Sequence, residues 1–270
     1  MIEQLLTLKN LVKKNQPLIH CITNPISINQ CANAVLAVGG KPIMAEHPME
    51  TAEITISANA LALSLGNVTD ARLKSMIISA KAAKNCQIPC VLDLVGVGCS
   101  TFRYNYARDF IRKNHPDVIK GNLSEIKAIA GKTTSAKGVD VGKNDVFTEE
   151  NSAETIATLK KLSRSSNSVV LATGKTDVIV YFDEVFLVEN GDEMLSKITG
   201  TGCILNVLVG TFISAKEILL GTILAAATLG IAGELADKSA GTGTFSVNLL
   251  DALYSMSDSD FVKLVKIRKV

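Results

Sequence analysis

The segment Ile198-Thr199-Gly200-Thr201-Gly202-Cys203 runs directly into the apolar stretch Ile204 to Ile213. Two glycines at this spacing let consecutive backbone N–H groups face one point, and the start of a following helix adds positive potential there. Such a nest suits a phosphoryl group or a developing oxyanion. Cys203, in the first helical turn, is expected to have its thiolate favoured by the same field. A glycine-rich turn that leads into a buried cysteine has the same sequence, so this stretch alone leaves both readings open.

A second cluster is Gly121-Asn122-Leu123-Ser124-Glu125. Asn122 and Glu125 stand three apart, which puts them on one helical face. With Asp93, the acid that ends Cys90-Val91-Leu92-Asp93, they could hold water on Mg²⁺, an ion that keeps several waters and takes few protein ligands. Asn122 with Glu125 also reads as an N-cap with its reciprocal acid. Asp93-Leu94-Val95-Gly96-Val97-Gly98 mimics a dinucleotide fingerprint, but Thr101 occupies the place of the third glycine. Gly174-Lys175-Thr176 mimics the end of a P-loop. The earlier glycine would fall at Val169, and the residues that follow read as strand, so the P-loop is rejected and Thr173 is kept as a candidate nucleotide contact. His20, His47 and His115 have no nucleophile-elbow partner and read as surface or satisfied core residues. Asp177, Asp183 and Asp192 are expected on exposed turns.

These residues need elements to position them. Amphipathic spacing predicts a helix over 3–14, then a short strand at Leu18-Ile19-His20 and a helix from about Ser27 to Val38 that Gly39-Gly40 stops. Pro42-Ile43-Met44 reads as a strand, 50–58 as helical, and 60–65 as a buried strand. Thr69 or Asp70 caps a helix to about Lys84. Cys90–Asp93, 117–120 and 169–172 read as strands, with helices over 102–113, from Asn122 to about Ala130, and over 152–163. Residues 132–148 read as a loop. Val178–Phe182 and Val185–Val188 look like a hairpin, and the last seventy residues are mainly helix. Alternating strands and helices predict an α/β fold, a three-layer, doubly wound, mostly parallel sheet with helices on both faces. No linker or repeat interrupts it, so 1–270 is read as a single domain. In such sheets ligands collect at the carboxyl ends of the strands, where Asn24, Asp93, the Asn122 turn and Thr173-Gly174 all fall.

Composition narrows the partners. Hydrophobic residues make up 47% and charged residues 20%, enough for a large core, while aromatics are only 4% and Trp is absent. With a net charge of +2 and scattered Lys and Arg, a nucleic-acid footprint is missing. The basic tail Lys263, Lys266, Arg268, Lys269 reads as a solvated terminus. Six cysteines without a CxxC pair, and three histidines, do not make a dedicated metal cluster. The N-terminus lacks a signal core, and reduced thiols fit a cytoplasmic protein. Ile204–Ala215 and Ile218–Gly233 are apolar, but Lys216-Glu217 divides them, and no aromatic or basic belt flanks them. Two buried core helices account for them better than membrane spans.

In order along the chain, PLIHCITNPISINQCANAVLAVGGKPIMAEHPME, VLDLVGVGCSTFR, DVIKGNLSEIKAIAG with KGVD, VLATGKTD, KITGTGCIL and GTGTFSVNLLDALY resemble the hydroxyethylthiazole kinase family of the ribokinase-like superfamily. They cover residues 17 to 254. The resemblance implies ATP-dependent phosphorylation of 4-methyl-5-(2-hydroxyethyl)thiazole at its primary alcohol, a salvage step toward thiamine. It implies a homotrimer with sites between adjacent subunits. Asn24, Met44 and Gly200 would surround the thiazole, and Lys120, Asn122 and Thr173 would contact ATP. Asp93 and Glu125 would serve Mg²⁺, mainly through its waters, and Gly200, Thr201, Gly202 and Cys203 would form the anion hole. Four positions depart from the family's usual pattern: Lys120 replaces Arg, Leu94 replaces Pro, Pro25 replaces a residue that is often aromatic, and Asn206 replaces a small one. Related alternatives are a kinase for a hydroxymethylpyrimidine, pyridoxal or a sugar, and a nicotinamide-hydrate dehydratase of the same fold. A catalytically silent binding protein is the third.

Overall fold

The computed structural model describes residues 1–132 and 146–270. The loop expected over 132–148, with KGVD in it, lies almost entirely outside the described residues. Among the described residues, nine strands form one sheet: β1 Leu18–Ile22, β2 Lys41–Ile43, β3 Ala60–Ser64, β4 Cys90–Asp93, β5 Val118–Asn122, β6 Val169–Thr173, β7 Asp177–Tyr181, β8 Glu184–Val188 and β9 Ile267–Lys269. Their order is β2-β1-β3-β4-β5-β6-β7-β8-β9. Pairing is parallel from β2 through β6 and antiparallel beyond. The expected mostly parallel sheet and its hairpin are both present.

Short, wholly apolar runs are what a strand covered on both sides requires, and all five residues of β3 are buried. The helices divide by face. Helices α4 (Asp70–Asn85), α5 (Thr101–Asn114), α6 (Leu123–Ile129) and α7 (Ser152–Ser166) pack with Leu61, Leu63 and Leu92. On the other face, α1 (Ile2–Asn15), α2 (Ile28–Ala37), α8 (Thr201–Ile213), α9 (Ile218–Leu235), α10 (Thr242–Ser255) and α11 (Asp258–Leu264) pack with Ala60, Ala62 and Val91. The short α3 (Thr51–Ser57) lies against α4. Each Leu, Ile or Phe sealed in these cores contributes about 1.5–3 kcal/mol relative to exposure.

Helix α9, with mean hydropathy 1.9, is long and apolar enough to cross a membrane, yet 72% of it is buried inside the fold. It packs against α1, α8 and α10 as a core helix. The C-terminus departs from expectation. Rather than a solvated tail, Ile267–Lys269 pairs with β8 as an edge strand. Ile267 packs on the core. Lys266 reaches Glu234 at 3.1 Å, and Lys269 reaches Glu184 at 2.7 Å. Charged side chains on a short edge strand also discourage further pairing.

The chain passes from β1 to β2 on one side and returns to β3 on the other. The connections after β1 and β3 therefore diverge and open a crevice at the strands' carboxyl ends.

Candidate functional site

Side chains on a strand alternate between faces. The alternation that sends Cys21, Ala62, Val91, Val118 and Leu171 into the core under α8 continues two residues on to Thr23, Ser64, Asp93, Lys120 and Thr173. A row of polar groups thus ends the sheet beneath the first turn of α8.

At its centre, Lys120 Nζ lies 3.0 Å from Asp93 Oδ1 and donates to Gly202 O at 2.9 Å. Both side chains are sealed from solvent. Burial pushes the Asp93 carboxyl up, against the pull of Lys120. Burial would lower Lys120, but Asp93, ahead of Cys203 and Glu125, holds it above an ordinary lysine. The short contact is that of an ion pair. Asp93 Oδ2 is buried without a partner.

Glu125 closes the neighbouring corner. Asn122 and Glu125 form a capping box for α6, with Glu125 N–H donating to Asn122 Oδ1 at 2.9 Å and Asn122 N–H donating to Glu125 Oε2 at 2.8 Å. Glu125 Oε1 accepts from Gly96 N–H at 2.8 Å. Burial, with the Asp93 charge, pushes this carboxyl up to about 7, against the amides of Gly96 and Asn122. The reading of this pair as an N-cap with its reciprocal acid is therefore met. Among the described residues no three His, Cys, Asp or Glu converge as a metal cage. A partnerless Asp93 oxygen beside an amide-held glutamate fits Mg²⁺, which prefers oxygen and retains its waters.

Gly200 opens α8 with φ +94°, a left-handed conformation that glycine adopts without strain. A Cβ there would fall 2.7 Å from Gln30 Oε1 and 3.0 Å from Ser27 Cβ, so α2 crowds the turn from one side. Thr201 Oγ1 donates to Leu195 O at 2.9 Å and anchors it from the other. A Cβ on Gly202 would lie 3.3 Å from Lys120 Nζ. The first N–H groups of a helix have no acceptor within it, so this turn presents donors over the Lys120 ammonium.

Cys203 corrects the expectation drawn from its place in the first turn. It is only 7% exposed. Burial and the Asp93 carboxylate push its thiol up, and Ser27, Lys120 and Thr23 oppose them without reversing the direction. Removal from water is the largest cause and sets the direction.

A cleft of about 720 Å³ runs from this turn, lined by Thr173, Asp177, Asp192, Thr201, Gly202 and Leu229 among others. Thr173 Oγ1 donates to Gly121 O at 3.3 Å. Asp177 is not the exposed turn residue expected. Its Oδ1 accepts from Gly174 N–H at 2.9 Å, and burial pushes the carboxyl up to about 7. Asp192 caps the 3-10 turn Glu193–Ser196, accepting from Met194 N–H at 2.9 Å, and pairs with Lys238. Asp183 alone of the three stays exposed, paired with Arg164. The Thr-Gly-x-x-Asp spacing was the available signal for Asp177, because an aspartate readily ties down a nearby backbone amide.

Across the turn, Asn24 lies two residues past the end of β1 and caps the 3-10 turn Pro25–Ser27, accepting from Ile26 N–H at 3.3 Å. Pro25, at the first position of that turn, suits it. Met44 follows β2 one strand over, half-buried against the α8-side core. Asn24, Gly200 and Cys203 meet through Ser27. Met44 stands at the same end of the sheet but farther out. Ser27 and Gln30 carried no sequence motif and were missed. His20 is a satisfied core residue, bonded to Thr55 Oγ1 at 2.9 Å and Ala45 O at 2.8 Å. Leu94 N–H donates to Lys120 O at 2.8 Å, a bond proline could not make. Asn206 is buried and donates to Leu63 O at 3.1 Å, while its Oδ1 has no partner.

The profile of the hydroxyethylthiazole kinase family matches residues 8–259. Hydroxyethylthiazole kinase 2 of Clostridium botulinum is 53% identical over 256 residues, 95% of this chain and 97% of that protein. The solved hydroxyethylthiazole kinase of Pyrococcus horikoshii superposes with a TM-score of 0.89 at 31% identity, covering 99% of both chains. A ribokinase-like superfamily protein of Enterococcus faecalis superposes with a TM-score of 0.65 at 13% identity, covering 92% of this chain and 89% of that one. That last likeness speaks for the fold alone. The matched span takes in the Asn24 turn, the Asp93–Lys120 pair, the capping box and the glycine turn, and the chain belongs to the hydroxyethylthiazole kinase family.

Proposed function

We propose that this chain, acting as one kinase domain over 1–270, transfers the γ-phosphoryl group of ATP to the primary alcohol of 4-methyl-5-(2-hydroxyethyl)thiazole, a salvage step toward thiamine. The observation that carries this reading is the Gly200–Cys203 turn, which separates the Thr173–Leu229 cleft from the Asn24 side and has the Lys120 ammonium beneath it.

ATP lies in the cleft, with Thr173 and Asn122 contacting it and Lys120 adding positive charge below the phosphates. The alcohol lies against Asn24, Met44 and Gly200. The first amides of α8 hold the migrating group, whose transition state spreads charge over its oxygens and demands position more than covalent help. The alcohol oxygen forms a bond to the γ-phosphorus as the bond to the bridging oxygen breaks, and ADP departs. Asp93 and Glu125 would hold Mg²⁺, mainly through its waters, and the ion would neutralise charge on the phosphates. Because its thiol is held protonated, Cys203 orients the hydroxyl, whose proton passes to a phosphate oxygen as the new ester forms.

Ile26 is 68% and Met49 89% exposed, two and five residues along the chain from Asn24 and Met44 respectively. Apolar side chains in that position support a homotrimer in which a neighbouring copy covers each alcohol site. The six cysteines, all free thiols, suit a cytoplasmic enzyme. The test is ADP release with Mg-ATP across hydroxylated heterocycles and sugars, with mass measured by light scattering. Turnover of the thiazole alcohol by a trimer is expected, and turnover of a sugar without the thiazole overturns the substrate.

A further inference from the structure

Arg72, in the first turn of α4, is 2% exposed, and no sequence motif marks it. Its guanidinium ties together three separate segments. Nη2 donates to Thr23 O, in the residue just before Asn24. Nη1 donates to Asn67 O. The residue before Asn67, Gly66, packs so closely on Asn24 that a Cβ there would fall 2.7 Å from Asn24 Nδ2. Nε faces Glu46 Oε2 at 3.1 Å, two residues beyond Met44. Ser75, on the same helix, donates to Glu46 O at 2.8 Å and fixes that segment a second time.

We propose that Arg72 is a positioning residue for the alcohol side of the site, a role that rests on reading Asn24 and Met44 as substrate contacts. The two residues come from different strands and face the substrate only if the turns after β1 and β2 keep one spacing. A planar guanidinium that donates through Nη1 and Nη2 on the Asn24 side while its Nε faces the Glu46 carboxylate as an ion pair sets that spacing, which a single ammonium cannot do. The nucleotide cleft is lined by other elements. Loss of Arg72 therefore acts on one substrate and spares the other. Glu46 has a side chain 47% exposed, so the link to the Met44 segment can be cut there without opening the core.

Steady-state kinetics of the intact protein with Arg72→Lys, Glu46→Gln and Met44→Ala separates the possibilities. Displacement of a binding wall raises KM for the alcohol about tenfold in Arg72→Lys and about threefold in Glu46→Gln, with KM for ATP within about twofold of wild type. A purely structural role would lower thermal stability and move both KM values together. Should Arg72→Lys fail to fold, Glu46→Gln decides alone. If Met44→Ala raises the alcohol KM while Arg72→Lys and Glu46→Gln leave it unchanged or shift both KM values equally, the role of Arg72 is overturned and the site reading stands. If Met44→Ala leaves the alcohol KM unchanged, the site reading fails and the inference falls with it.

Discussion

Lys120 Nζ holds Asp93 Oδ1 at 3.0 Å and Gly202 O at 2.9 Å, so one ammonium joins two strand ends to the glycine turn above them. Breaking a buried pair by removing one partner leaves the other charge stranded, at a cost of about 3–5 kcal/mol. Lys120→Met should destabilise the protein by that order in urea unfolding. The double variant Lys120→Met/Asp93→Asn should recover more than half of the loss and remain inactive. Equal destabilisation in the single and double variants would show that the pair is not coupled.

Gly200 and Gly202 test the turn from its two sides. Gly200→Ala meets a left-handed φ, which costs about 1–2 kcal/mol, and presses on Gln30 Oε1. Adding Gln30→Ala should relieve the contact but not the backbone strain, so the pair should be only partly rescued. Gly202→Val directs its extra atoms at Lys120 Nζ and should reduce turnover by more than about a thousandfold, since preorganised donors at this position are worth several kcal/mol. Normal turnover in a folded Gly202→Val enzyme would remove the turn from the chemistry.

Cys203 is held as a thiol by burial and by Asp93. If it orients the hydroxyl without acting as base, Cys203→Ala should lose less than the ~100- to 10,000-fold typical of a removed general base. Cys203→Asp should remain active. Rapid-quench measurement of the phosphoryl-transfer step checks both, and a Cys203→Ala variant that folds and binds both substrates but loses about 100-fold or more would contradict this role.

Asp177 gives a pH dependence whose sign is fixed. Its carboxyl sits at about 7 in the folded protein against 3.8 for an ordinary aspartate. Between those values the native state keeps a proton that the unfolded chain has released. Stability contributed by this group is full below about pH 4 and is lost as pH rises through 7. Asp177→Asn keeps the acceptor for Gly174 N–H and cannot ionise. Because the carboxyl is partly open to the cleft, water tempers the effect to about 1 kcal/mol at pH 8, or ~2–4 °C in Tm. Thermal scans from pH 4 to 8 should show the variant with a flatter profile and the higher Tm at pH 8. Parallel profiles would place the proton elsewhere.

Much of this architecture was legible in the chain. Short runs such as Ala60–Leu63 and Cys90–Leu92 are apolar because helices cover both sides, and the serine or acid that follows each run marks the open edge. The Asn122–Glu125 cap was readable from spacing alone. What was not legible depends on contacts between distant parts of the sequence. The reach of Lys120 to Gly202 spans 82 positions, and that of Arg72 to Thr23 spans 49. The Cys203 thiol was misjudged because a helix start can be inferred from glycines, whereas depth beneath α2 and the nearness of Asp93 appear only once the layers are stacked. Ile267–Lys269 was missed since three residues, two of them charged, give no period to detect.

The turn at Gly200 faces α2 with one residue and the broad cleft with the next two. It is a thin wall of three residues, pinned to α2 at Gly200 and to Leu195 O through Thr201, so a change on its α2 side is passed to the cleft side through a single backbone turn.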